Sequence, residues 1–228
     1  MKIITVKIKA NGKCVVEFSN KKKLVLWVDD VINLKIKKNQ EIDEKFYKKI
    51  VYTSLLYLLK DYGLRQVAMS PKSFPGLKKK LIQNLKKREI LLPNKIWDQD
   101  DKWKLGKEDF EKIIEEVLED FRKNKLIDDI EYVRFYIKKS GNKSFRQISY
   151  ELRREGVGKE VIKEKINKWV RLNTGLEEEK IRKIIFKKIK DKSDLLDFKK
   201  KNKIISALYR KGFAIDQVKR VIDESIKK

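Results

Sequence analysis

A segment that recurs 56 residues further along limits this chain more than any other feature of its sequence. Ser144 to Val157 reads as a short helix ending at Gly156, and Ile204 to Phe213 repeats its second half. The offset places Ile148 on Ile204, Leu152 on Leu208, Gly156 on Gly212, Val157 on Phe213 and Ile166 on Ile222. A period of this size belongs to stacked helical units, each too thin to bury its own apolar stripe. The expected fold is mainly α, with tandem three-helix repeats in an elongated, curved body.

The pattern before the repeats is different. Across residues 1–42 apolar and polar residues alternate at Ile4, Val6 and Ile8, the period of a strand. Asn11-Gly12 is a hairpin turn signal, Cys14 to Phe18 forms the return strand, and Leu24 to Val28 forms a third. A small antiparallel β segment is therefore expected at residues 1–42. From Asp43 the period becomes helical. Phe46, Ile50, Val51, Ser54, Leu55, Leu58 and Leu59 share a stripe that Gly63 is expected to end. Ser73 to Lys87 and Glu108 to Lys123 continue the pattern, separated by an irregular insertion near 88–106 that holds Pro93, Trp97, Trp103 and Gly106. Residues 43–127 thus read as a divergent first repeat. Ser73-Phe74 with Leu77 and Leu81 matches the spacing of Ser144-Phe145 with Ile148 and Leu152, but Leu85 stands where the glycine should be.

Residues 128–170 form the second repeat. Asp128 or Asp129 caps a helix bearing Val133, Tyr136 and Ile137. Ser144 with Gln147 reads as a capping box, and Gly156 as a left-handed stop followed by its apolar contact, Val157. Residues 171–228 form the third repeat, with helices carrying Ile181, Ile184, Ile185 and Ile189, then Ile204, Ile205 and Leu208, then Val218, Val221, Ile222 and Ile226.

Composition narrows the chemistry. There is no histidine and one cysteine, Cys14, which removes Ser-His and Cys-His nucleophile pairs, disulfide frameworks and His- or Cys-based zinc sites within one chain. No glycine-rich phosphate loop occurs. The paired carboxylates Asp29-Asp30, Asp100-Asp101 and Asp128-Asp129 could hold magnesium in a nuclease, but Asp128-Asp129 also stands where a helix start wants a cap and a negative charge. No enzyme activity and no cofactor are expected. The absence of a long apolar run or a leader pattern points to a cytoplasmic chain with no membrane partner.

The formal net charge is +25, from 48 lysines, 11 arginines and 34 acidic residues. Such a chain is drawn to polyanions with steep salt dependence, although lysine also serves as plain solvated surface. Arginine is the more telling residue, since its planar fork suits phosphate and carboxylate. Arg134, Lys138, Lys139, Lys143, Arg146, Arg153 and Arg154 gather within the second repeat and are the candidate binding residues. They interleave with Tyr132, Phe135, Tyr136 and Tyr150, which could stack on bases or cover the edges of the core.

Two strings of that repeat resemble a known family. Leu126-Ile127-Asp128-Asp129-x-x-Tyr132-x-x-x-Tyr136-Ile137 is followed by Ser144-Phe145-x-x-Ile148-x-x-x-Leu152-Arg153-x-x-Gly156-Val157, and together they look like the RecX recombination regulators. The hairpin followed by Leu34-x-x-x-Lys38-x-Gln40-x-Ile42-Asp43 resembles that family's variable front end. The resemblance implies a non-catalytic protein, expected to be a monomer, that binds RecA and the RecA–DNA filament. It implies modulation, usually inhibition, of recombinase, ATPase and co-protease activity in DNA repair and the SOS response. Without the resemblance, the residues alone suggest a general basic DNA-binding module independent of RecA.

Overall fold

The computed structural model describes residues 1–91, 105–173 and 175–227. The chain divides into two compact units, Met1–Ile127 and Asp128–Lys228.

In the first unit, β1 (Ile3–Ile8), β2 (Lys13–Phe18) and β3 (Lys23–Trp27) form an antiparallel sheet in the order β1-β2-β3. The first turn closes as expected. Gly12 takes a left-handed φ of 75°, which lets the chain reverse between Lys9 and Lys13. Cys14 pairs with Leu26 and Val16 with Leu24, so one face gathers Ile3, Cys14, Val16, Phe18, Leu24 and Leu26, all buried. That face meets α2 (Glu44–Met69): the Ser54 hydroxyl donates to the Val25 carbonyl at 2.8 Å, and the Phe18 and Tyr47 rings meet edge to face at 5.2 Å. Residues 1–42 are not all strand. The chain turns helical at Val28, and α1 (Val28–Asn33) uses Val31 to close one end of the core.

Asp43 starts α2 by accepting the Phe46 N–H at 2.7 Å. The helix does not stop at Gly63. A Cβ there would lie 2.9 Å from the Phe121 ring, so the glycine serves close helix packing within α2 and not a terminus. The third helix, α3 (Phe74–Leu91), runs past the expected end at Lys87 into the expected insertion, and Leu77, Leu81 and Leu85 are buried along it. Residues 92–104, with Pro93, Trp97, Trp103 and Asp100-Asp101, lie outside the described residues. Gly106 precedes α4 (Lys107–Lys123), whose Ile113, Ile114, Val117, Leu118 and Phe121 complete a single core shared with the sheet. This sharing solves the problem of a three-stranded sheet, which is marginal without a partner.

The second unit contains two three-helix sets, each with its own core. Helices α5 (Asp129–Lys139), α6 (Phe145–Arg154) and α7 (Lys159–Leu172) close on Val133, Ile137, Phe145, Ile148, Leu152, Val157, Ile162 and Ile166. Helices α8 (Leu176–Phe186), α9 (Phe198–Arg210) and α10 (Ile215–Lys227) close on Ile181, Ile184, Ile185, Ile204, Leu208, Phe213, Val218, Val221 and Ile222. A 3₁₀ turn, Lys192–Leu195, adds Leu195 to this core, a buried residue outside any helical period.

The repeated stops have the same geometry. Gly156 and Gly212 adopt φ of 85° and 84°. Val157 N–H bonds the Leu152 carbonyl at 3.1 Å, and Phe213 N–H bonds the Leu208 carbonyl at 3.2 Å. Each left-handed glycine thus returns the next apolar residue to the core, as the sequence pattern implied.

Candidate nucleic-acid interface

Helix α6 carries the densest part of the basic cluster. Its buried residues, Phe145, Ile148 and Leu152, occupy one stripe. At 3.6 residues per turn the opposite stripe must hold Arg146, Tyr150, Arg153 and Arg154, and all four are exposed. Tyr150 is 60% exposed, with the Arg154 guanidinium 5.9 Å from its ring centre. Arg146, Arg153 and Arg154 form no ion pair among the described residues, which leaves their charge available to a partner.

The other four candidates are placed differently. Arg134 is paired with Glu131 one turn earlier on α5. Lys143 bonds the Glu151 carboxylate at 2.6 Å, and Glu151 also accepts the Tyr136 hydroxyl at 2.5 Å and the Gln147 amide at 3.2 Å. That network raises the Lys143 ammonium above the ordinary lysine value, first through its bond to Glu151. Burial would raise the Glu151 carboxyl, but its bonds to Lys143 and Tyr136 prevail and hold it below the usual carboxylate range. Lys143 therefore ties the start of α6 to its own carboxylate. Lys138 and Lys139 are exposed in the last turn of α5, with Lys139 5.6 Å from the Phe135 ring centre.

Of the aromatic candidates, Tyr150 alone presents an open ring. Tyr132 and Tyr136 pack against each other at 6.0 Å, and burial, with Glu155 next, pushes the Tyr132 hydroxyl up to about 12. Asp128 is spent as the α5 cap, accepting the Ile130 N–H at 2.7 Å. Asp29 and Asp30 lie in the first turn of α1. Among the described residues no group of three or more His, Cys, Asp or Glu side chains could hold a metal ion.

Sequence reasoning missed how α6 is anchored. Ser144 caps it as expected, accepting the Gln147 N–H at 3.1 Å. The reciprocal half of the capping box is replaced, because the Gln147 side chain turns to Glu151. The Ser144 hydroxyl instead donates to the Lys211 carbonyl at 2.7 Å, at the stop of α9. Glu177 on α8 accepts the Phe145 N–H at 2.8 Å. Lys180 on α8 is buried, with its ammonium 3.1 Å from the Lys143 carbonyl and 4.8 Å from the Phe145 ring centre. The only sequence signal for these ties is Lys180 itself, a lysine on the apolar stripe of Ile181 and Ile184.

Comparison with known proteins shows what this chain is similar to. Residues 176–222 match the model of the RecX third three-helix domain. The "Regulatory protein RecX" of Clostridium acetobutylicum is 34% identical over 125 residues, which are 53% of this chain and 58% of that protein. The aligned part therefore spans little more than half of that relative's length. A crystal structure of regulatory protein RecX superposes with a TM-score of 0.62 at 20% identity, covering 97% of this chain and 98% of that one. The crystal structure of RecX from Lactobacillus salivarius gives 0.51 at 17% identity, covering 75% of this chain and 96% of that one. The mainly helical RecX fold, with its small N-terminal sheet, extends over nearly the whole chain.

Proposed function

On the premise that the chain is a RecX-type protein, we propose that it is a non-catalytic regulator that binds RecA and its DNA filament and restrains recombinase and co-protease activity in DNA repair and the SOS response. The observation that carries the reading is the match of the third three-helix set to the corresponding RecX domain. The net charge of +25 and the unpaired arginine row on α6 support a partner rich in phosphate or carboxylate. Among the described residues no helix is long and apolar enough to cross a membrane. The proposed setting is the cytoplasm, where the filament forms, and the proposed working form is a monomer.

The test is RecA-catalysed strand exchange with increasing amounts of the chain. The reading expects exchange to fall at or below stoichiometric ratios. It also expects charge reversal of Arg146, Arg153 and Arg154 together to weaken the effect at unchanged helicity. Unaltered strand exchange, ATPase and filament length would refute it. The high charge also favours a second reading, a basic DNA-binding module independent of RecA. Tight binding to naked DNA together with unaltered strand exchange would select that reading.

A further inference from the structure

The row on α6 has a counterpart on α9, and the two meet at one junction. The buried stripe of α9 runs through Ile204 and Leu208. Its opposite stripe holds Lys199, Lys203 and Arg210, all exposed and without an ion pair among the described residues. On α6 the basic residues Arg146 and Arg153 lie seven residues apart with Tyr150 between them, and on α9 Lys203 and Arg210 have the same separation. Tyr209, next to Arg210 in the chain, is 53% exposed, and Tyr150, a turn before Arg153 and Arg154, is exposed likewise.

A plain account of the last-turn arginines exists, since cations there complement the negative end of the helix dipole. It does not explain the first turns. Every other described α-helix outside the second position of a set carries an acidic residue in its first turn, while α3, α6 and α9 carry none. Glu177 at the start of α6 and the Asp197 cap of α9 already supply a carboxylate to these positive ends. Arg146 and Lys199 therefore add exposed cations there that the helix dipole does not account for.

The junction brings the two rows together. The stop of α9 lies against the start of α6, where Ser144 holds the Lys211 carbonyl. A Cβ on Gly212 would be 3.6 Å from the Cβ of Arg146. The α9 row therefore ends, at Arg210, within the turn that touches the first residue of the α6 row.

We propose that the exposed faces of α9 and α6 form one binding site for a single-stranded polynucleotide, with the cations on the phosphates and Tyr150 and Tyr209 stacked on unpaired bases. The inference takes its biological setting from the RecX-type reading above and its ligand from the geometry. Single strands are favoured over duplex because open tyrosine rings flanked by arginine match unpaired bases. The six cations also predict the salt response: neutralising about six phosphates gives a slope of log affinity against log salt of roughly −4 for a single strand.

The experiment is fluorescence anisotropy of a labelled oligothymidylate with the full chain and no RecA, from low to moderate salt. Lys199→Gln, Lys203→Gln and Arg210→Gln together should lower affinity at least tenfold and flatten the slope by about 2. Arg146→Gln, Arg153→Gln and Arg154→Gln together should do the same. Tyr150→Ala with Tyr209→Ala should lower affinity about tenfold or more with the slope unchanged, as loss of stacking requires. All of these residues are exposed, so the variants should keep the parent's helicity. Unchanged binding in the α9 variant would overturn the joined site. Binding of a duplex of equal length as tightly as the single strand, or no effect of the tyrosine variant, would overturn the single-strand assignment. If strand exchange is still inhibited while no oligothymidylate binds, the proposed site is wrong and the RecA reading stands.

Discussion

Two glycines with the same backbone conformation measure the junction between the last two helix sets. Gly175 and Gly212 both adopt φ of 84°, a region that costs a residue with a Cβ about 1–2 kcal/mol. A Cβ on Gly175 would meet nothing within 4 Å, whereas one on Gly212 would lie 2.7 Å from the Ser144 hydroxyl oxygen. That oxygen can leave only by rotating, which breaks its bond to Lys211 and its cap on Gln147. The lost hydrogen bond is worth about 1 kcal/mol and the lost cap about 1 kcal/mol. Gly175→Ala should therefore cost about 1–2 kcal/mol. Gly212→Ala should cost a further ~1–2 kcal/mol once the two losses overlap. Urea unfolding of each full-length variant, fitted with a common slope, supplies the numbers. In a Ser144→Ala background the clash is gone, so the excess at Gly212 should disappear and appear as a coupling energy. Equal costs at the two glycines, with no coupling to Ser144, would refute the junction argument.

Gly63→Ala tests the α2–α4 packing by its sign. Alanine gains about 1 kcal/mol in a helix interior, but overpacking against Phe121, 2.9 Å away, costs about 1–3 kcal/mol. The substitution should destabilise the parent and stabilise a Phe121→Leu variant in thermal or urea unfolding; stabilisation of the parent would contradict the contact. Lys180 gives a pH signature. Burial pushes its ammonium below the ordinary 10.5, only partly countered by Glu177, so the folded state binds the proton less tightly than the unfolded chain does. The cost of holding the charge is full below the folded value and is relieved as pH rises from there to 10.5. The parent should therefore gain stability relative to Lys180→Met between neutral pH and pH about 10, and a constant or shrinking difference in urea midpoint would refute this.

The repeated stops were legible because a single residue type satisfies the backbone there. Gly156 and Gly212 are followed by Val157 and Phe213 at the same step, and each pair can act only as a helix stop with an apolar return. The α6 face was equally legible, since its helical period separates Ile148 and Leu152 from Arg146 and Arg153. Gly63 misled because a glycine near the end of an apolar stripe reads as a stop, while its actual role is set by Phe121, 58 positions away in sequence. The division of labour within the basic cluster was also hidden. Whether a lysine is free or held depends on a carboxylate brought near by folding, as Glu151 is to Lys143. The Ser144–Lys211 tie spans 67 residues and involves a backbone carbonyl, which leaves no mark in the sequence. The α9 row does not stand out in a chain where lysines are common throughout; its meaning depends on where the stop of α9 lies.

The measurement that tests the central claim most directly is capture of purified RecA by the immobilised full-length chain, with and without single-stranded DNA and a nucleotide that holds the filament together. The account predicts retention of RecA in both conditions, stronger when the filament is present and weakened by charge reversal at Arg146, Arg153 and Arg154. Retention of the DNA alone, with RecA passing through in both conditions, would contradict it.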